Sequence, residues 1–166
     1  MRTLAILLFT ILGLHADDTI NAGNFQFTAK KPWVTIDYPS HMVKGALTYG
    51  EKGPLLKLYH FGQGQGGGVA ANMKRWKKQF EGEAKITQEA LSYGEQEVSI
   101  VLMEGVFLDG GIMERKTPKE GYALLGAVIP HAGGDVFLKM TGPAEKVKKS
   151  QEDFKKLIAT AFAKEK

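Results

Sequence analysis

The chain has 166 residues, 43% apolar and 24% charged, which is the make-up of a single globular domain with room for a real core. A formal charge of +4 is too mild to mark a nucleic-acid footprint or a strongly membrane-seeking surface. There is no cysteine, so thiolate zinc sites, iron–sulfur clusters, cysteine nucleophiles, disulfides and an N-terminal-cysteine lipid anchor are excluded.

Met1 to Ala16, MRTLAILLFTILGLHA, places one basic residue, Arg2, before an apolar run from Leu4 to Leu14 and a small residue ahead of Asp17. That order predicts a secretory signal peptide over 1–16, cut near Ala16, and an exported protein, periplasmic or secreted. The apolar run is about half the roughly 20 residues of a membrane-spanning helix, so no span is expected in the mature chain. The alternative is an N-terminal apolar helix packed on the domain. Residues 17–24 are polar and read as a flexible tail, leaving 25–166 as one domain.

Phe25, Phe27, Trp33, Val34, Ile36 and Tyr38, punctuated by Pro32 and Pro39, read as short strands. Val43–Tyr49 and Leu55–Phe61 flank Gly50-Glu51-Lys52-Gly53-Pro54 and predict a hairpin. Ser40 and His41 invite a hydrolase reading, but neighbours on an extended chain point to opposite faces. No G-x-S-x-G elbow occurs, so a turn after Pro39 is the plainer account and no catalytic residue is assigned.

Five of the seven residues from Gly62 to Gly68 are glycine, between a strand-like and a helix-like run. Gly62, Gly64 and Gly67 fit G-x-G-x-x-G, whose bare backbone can admit a pyrophosphate to helix N–H groups. No acidic residue closes a second strand about 20 residues on, the chain lacks repeated β–α alternation, and no G-K-[ST] follows. A nucleotide cofactor is therefore not implied. Two accounts remain: glycine for a sharp turn near another backbone, or loop amides that hold a small anion with help from His60 and Lys57.

Val69, Met73, Trp76 and Phe80 line one face of the following helix, with Lys74, Arg75, Lys77 and Lys78 around the other sides and Gly82 as its stop. Ala84–Tyr93 and Val98–Leu108 read as strands, with Gly105 at a bulge. Asp109–Gly121 reads as a long polar loop. Tyr122–Ile129 and Val136–Thr141 form a second hairpin, and the unbroken apolar YALLGAVI predicts a strand covered on both faces. A terminal helix starts at Gly142-Pro143, with Pro143 in its first position and Val147, Phe154, Leu157, Ile158, Ala161 and Phe162 inward. Hairpins with one helix per face give an α+β fold: a mainly antiparallel sheet with helices on both faces, an α/β/α sandwich.

The succession GVFLD, GYALLGAVIP, GDVFLKMTGPAEKV and the terminal IATAF resembles the PsbP-like family, over roughly Leu55 to Phe162. The family's namesake is an extrinsic photosystem subunit, and a Ran-binding nuclear import factor shares the fold. GQGQGGGVAANMKRWKKQF is similar to the loop and helix of uncharacterised exported bacterial members. The resemblance implies the sandwich fold and a binding or assembly role more often than catalysis. No functional residue of the family carries over to this chain.

These readings make the protein an exported, non-enzymatic binding or assembly module whose partner is another exported protein or a small ligand. The expected surface joins Gly64, Gly66, Gly67, His60, Asn72 and Arg75 to the loop at 109–121. The rival reading is a small-anion or phosphate-ligand receptor, or an enzyme, using the loop amides; a third is a purely structural loop packed on its own sheet. His41, His60 and His131 are the histidines of the mature chain and lack ligand spacing, so no metal is assigned.

Overall fold

The computed structural model describes residues 17–111 and 114–163; the export signal expected over 1–16 lies outside them. Alternating apolar side chains set the first strands: β1 (Asp18–Ala22), β2 (Phe25–Ala29), β3 (Trp33–Ile36), β4 (Val43–Tyr49) and β5 (Leu55–His60). The glycine loop and α1 (Gly68–Lys77) follow, then three long strands, β6 (Phe80–Tyr93), β7 (Gln96–Asp109) and β8 (Thr117–Ile129). β9 (Val136–Pro143) returns beside β5, and α2 (Ala144–Lys149) and α3 (Gln151–Thr160) close the described chain.

β1 and β2 make a small two-stranded sheet, and the other strands make a seven-stranded sheet in the order β3-β4-β5-β9-β8-β7-β6. Its pairings are antiparallel, and both expected hairpins, β4–β5 and β8–β9, are present. Residues 123–129 of β8 are all buried, as an apolar run covered on both faces requires. α1 lies on one face, where Trp76 joins Phe80, Val101, Met103, Phe107, Leu124, Val128 and Phe137. On the other, α2 and α3 supply Val147, Phe154, Leu157 and Ile158 to a larger core with the β1–β2 hairpin. This is the α+β sandwich.

Four local expectations are corrected. Residues 17–24 are not a tail: β1 pairs with β2, Ile20 opposite Phe27, and buries Ile20 and Ala22. Polar Thr19 and Asn21 occupy the outward side of that alternation. The helix stops at Lys77, and Phe80 opens β6 instead of ending α1. Gly82 therefore sits in the register irregularity of β6 between Glu81 and Lys85. The loop expected over 109–121 shrinks to 110–116, because β8 already pairs with β7 from Thr117. Those first residues of β8 have β7 beside them but not β9 and are largely exposed, so they carry no apolar pattern. Finally, Pro143 is the N-cap residue rather than the first helical one, and the terminal helix breaks at buried Ser150, whose Oγ donates to Val147 O at 2.9 Å.

Candidate functional site

The glycine loop is fastened to the domain from two sides. Asn72, buried on α1, donates through Nδ2 to the carbonyls of Gly66 at 3.1 Å and Gly68 at 2.7 Å. Arg75 Nη2 donates to the same Gly66 oxygen at 2.5 Å. Gly66 has φ +87, and a Cβ there would stand 2.5 Å from the Phe137 ring, so glycine is required by both conformation and space. A Cβ on Gly134 would run into the backbone of Gly62, which seats the loop on the 131–135 turn. The Asp135 carboxylate lies near Gly68, placing a native negative charge by the amino end of α1.

The structure thus brings Gly66, Asn72 and Arg75 together, but as donors to loop carbonyls. His60 is not in that set. It follows Leu56 and Leu58 on the opposite face of β5 and packs against Gly23, its Nε2 3.4 Å from Gly133 O. Gly64 lies at the loop's open edge, with nothing near a would-be Cβ. Gly67 caps α1 at φ 82 without a side-chain hydrogen bond. Among the described residues His60 stands apart from 109–121, since it pairs with the first residue of β9, whereas Asp109 and Thr117 pair beyond the end where β9 finishes. His131 accepts the Gly133 N–H through Nδ1 at 2.9 Å and meets Phe25 edge-on. Ser40 accepts the Val43 N–H through its backbone carbonyl, the turn expected after Pro39. Among the described residues no group of three histidine or acidic side chains is placed to hold a metal ion.

A second constellation lies on the α1 face. Among the described residues the helix packs chiefly over β6, β7 and β8, and no helix packs as closely on the β3–β4–β5 side of that face. Here Lys57 on β5 stands directly opposite Lys139 on β9. Lys57 Nζ donates to Tyr38 Oη at 3.0 Å and rests 4.6 Å from that ring's centroid. Lys139 Nζ donates to Gln79 Oε1 and sits 5.5 Å from the centroid of Phe107. Burial, with the charges of Lys57 and Lys116 adding to it, pushes the Lys139 ammonium down to about 8, and Asp109 opposes this only in part. Among the described residues neither lysine forms a salt bridge; such bridges are made by Lys30, Lys148, Lys155 and Lys156.

Along the same face the strand pair continues to Leu55 and Thr141, and a recess of about 390 Å³ opens there. Leu55, Phe107, Tyr122, Thr141, Lys52 and Lys146 line it, with Asp109 as the one acid of that lining. Phe107 belongs to both features, lying under Lys139 and in the recess wall. Sequence reading assigned Lys57 only a supporting role and missed Lys139 and Gln79. The available signal was a lone lysine inside VFLKM, since a strand of a covered sheet seldom tolerates an unpaired charge.

No family model and no curated protein matches the chain. Among solved structures it is similar to the solution structure of cyanobacterial PsbP (CyanoP) from Synechocystis sp. PCC 6803, with a TM-score of 0.58 and 11% identity. That match covers 90% of this chain and 93% of the other. Identity so low speaks for the fold alone. The chain has a PsbP-like α+β fold.

Proposed function

We propose that the protein is an exported, non-enzymatic binding or assembly module that takes its partner on the open half of the α1 face. The observation that carries this is the Lys57–Lys139 pair: two lysines in register on adjacent strands, one of them largely desolvated, with no carboxylate in bridging contact among the described residues. A buried ammonium without a counterion is costly unless something supplies one. Partly exposed Tyr38 and Phe61 extend the same face with aromatic surface suited to contact. The histidines support a non-catalytic reading, because His60 and His131 are engaged in packing the loops around Gly23 and Gly133. Export rests on the order of residues in 1–16. Among the described residues no helix is long and apolar enough to cross a membrane.

Native mass spectrometry of protein purified from its own exported fraction tests both halves. The expected outcome is a mature chain cut near Ala16 that carries a bound species, which a Lys57→Glu variant of unchanged fold loses. A bound species retained in full by that variant would overturn the placement on this face. A chain recovered uncleaved in the cytoplasm would overturn export.

A further inference from the structure

The seven-stranded sheet has two edges, and they differ in kind. β3 is four residues long and lies between Pro32 and Pro39, a short edge of the sort that resists further pairing. β6 is 14 residues long without proline, and its register with β7 runs unbroken from Lys85 to Tyr93. The Gly94–Glu95 turn, with Gly94 at φ +65, closes this hairpin at Tyr93 and Gln96. That closing pair shares the turn's main-chain hydrogen bond, and bonded pairs alternate along the ladder from there. Odd-numbered residues therefore bond to β7, while Ile86, Gln88 and Ala90 aim their N–H and C=O groups outward. Among the described residues no backbone group outside the β6–β7 ladder meets them.

The two faces of the strand say what pairs with that edge. On the α2–α3 side lie Lys85, opposite the Glu104 that bridges to Lys148, and Glu89, which bridges to Lys155. Lys85 itself has no salt bridge among the described residues. On the α1 side Ile86 is an exposed apolar residue. There a cleft of about 280 Å³ lies between α1 and the strands, lined by Val69, Met73, Trp76 and Val101 with Gln88 and Ala90 of β6. An antiparallel second copy centred on Thr87 answers both faces. Lys85 then stands opposite Glu89 of that copy, and Glu89 opposite its Lys85. Ile86 stands opposite Gln88 and diagonal to Ala90, at the mouth of the second copy's cleft. Neighbouring registers lose the charge match: centred on Ile86, Glu83 meets Glu89, and centred on Gln88, Lys85 meets Leu91.

We propose that the protein forms a symmetric dimer by antiparallel pairing of β6 about a two-fold axis at Thr87, which joins two sheets into one. The main chains of Ile86 and Gln88 supply the central hydrogen bonds, and Ile86 of each copy seats in the cleft beside α1 of the other. Pairs of Lys85 with Glu89 close the opposite face. This interface is independent of the binding face proposed above, because it uses the far edge of the sheet and leaves the β3–β4–β5 side free in both copies.

Sedimentation velocity of the purified protein over a range of concentrations tests the association, and a monomer–dimer equilibrium is expected. Lys85→Glu sets like charges on both sides of the axis, and Ile86→Lys sets a charge at the cleft. Each should weaken the dimer on the order of tenfold. Both side chains are exposed, so the melting temperature of the monomer should hold. Register is read by cross-linking, since a chain without cysteine gains a single thiol in Thr87→Cys. A non-bonded pair on the axis brings its Cα atoms to about 4.5 Å, within disulfide reach. Thr87→Cys should therefore give a covalent dimer under mild oxidation, and Ser92→Cys on the same strand should not. Equal cross-linking by the two would overturn the register, and with it the charge and cleft contacts. A dimer unchanged by both Lys85→Glu and Ile86→Lys would overturn this interface. A chain that stays monomeric at every concentration would overturn the dimer and leave the edge to a strand of another protein.

Discussion

At the scale of single residues, Lys139 ties stability to chemistry. Its ammonium is depressed to about 8, mainly by burial, whereas the unfolded chain holds it near 10.4. Below about pH 8 both states are protonated and the folded state bears the cost of the buried charge; between about 8 and 10.4 the unfolded state binds more protons, so stability rises with pH. Lys139→Met should remove this rise and stabilise the fold at neutral pH by on the order of 1–3 kcal/mol. Urea denaturation of both proteins at about pH 7 and about pH 10 checks it, and parallel pH curves would refute it. Asn72 makes the opposite case, a buried amide whose two N–H donors are spent on Gly66 O and Gly68 O. Asn72→Ala should cost about 2 kcal/mol and open the glycine loop to proteolysis, more than Arg75→Ala, whose side chain is exposed. Neither role was legible beforehand. The helix spacing marks Val69, Met73 and Trp76 as inward, yet it cannot say that Asn72, one turn from Trp76, is buried to hold carbonyls of a preceding loop.

Elements depend on contacts that sequence spacing only outlines. α1 is a short helix seated chiefly by Trp76 against β8, where Gly126 leaves space that a Cβ would fill. Gly126→Ala should therefore lift α1 and cost about 1–3 kcal/mol, read as lower unfolding stability and a red-shifted Trp76 emission relative to a Trp33→Phe background. The same change would be neutral if α1 were loosely attached. At the other face the β1–β2 hairpin is core: Phe27 is fully buried, and Thr160 Oγ1 accepts the Thr28 N–H at 2.9 Å from α3. Deleting residues 17–24 should lower the melting temperature by several degrees, with Phe27→Ala costing about 3–5 kcal/mol. A frayed tail would predict no change on that deletion, which makes the melting curve decisive. Strand existence was readable wherever one face is apolar and the other wet. Strand ends were not, because Phe80–Tyr93 and 117–121 run past their covering neighbours and lose the alternation that reveals a strand.

For the whole molecule, the seven-stranded sheet gathers segments far apart in the chain: β5 meets β9 across more than half the domain, and that pairing sets Lys57 beside Lys139. The glycine loop drew attention in the sequence because glycine clusters advertise backbone freedom. At Gly66 that freedom serves close packing on Phe137, while Gly62 and Gly64 leave open space around a would-be Cβ. Amino-acid order alone determined what depends on local periodicity and composition: the α+β fold, the two hairpins, the doubly covered strand, the Val69–Met73–Trp76 stripe of α1 and the absence of cysteine. Only the tertiary structure decided what depends on strand order and side-chain reach. It gave His60 to the opposite face, spent Asn72 and Arg75 on carbonyls, and turned one lysine in an apolar strand into half of a cationic pair. The physical reason is that a strand's periodicity shows which residues share a face, while which strands lie side by side is settled by long-range pairing that local pattern does not encode.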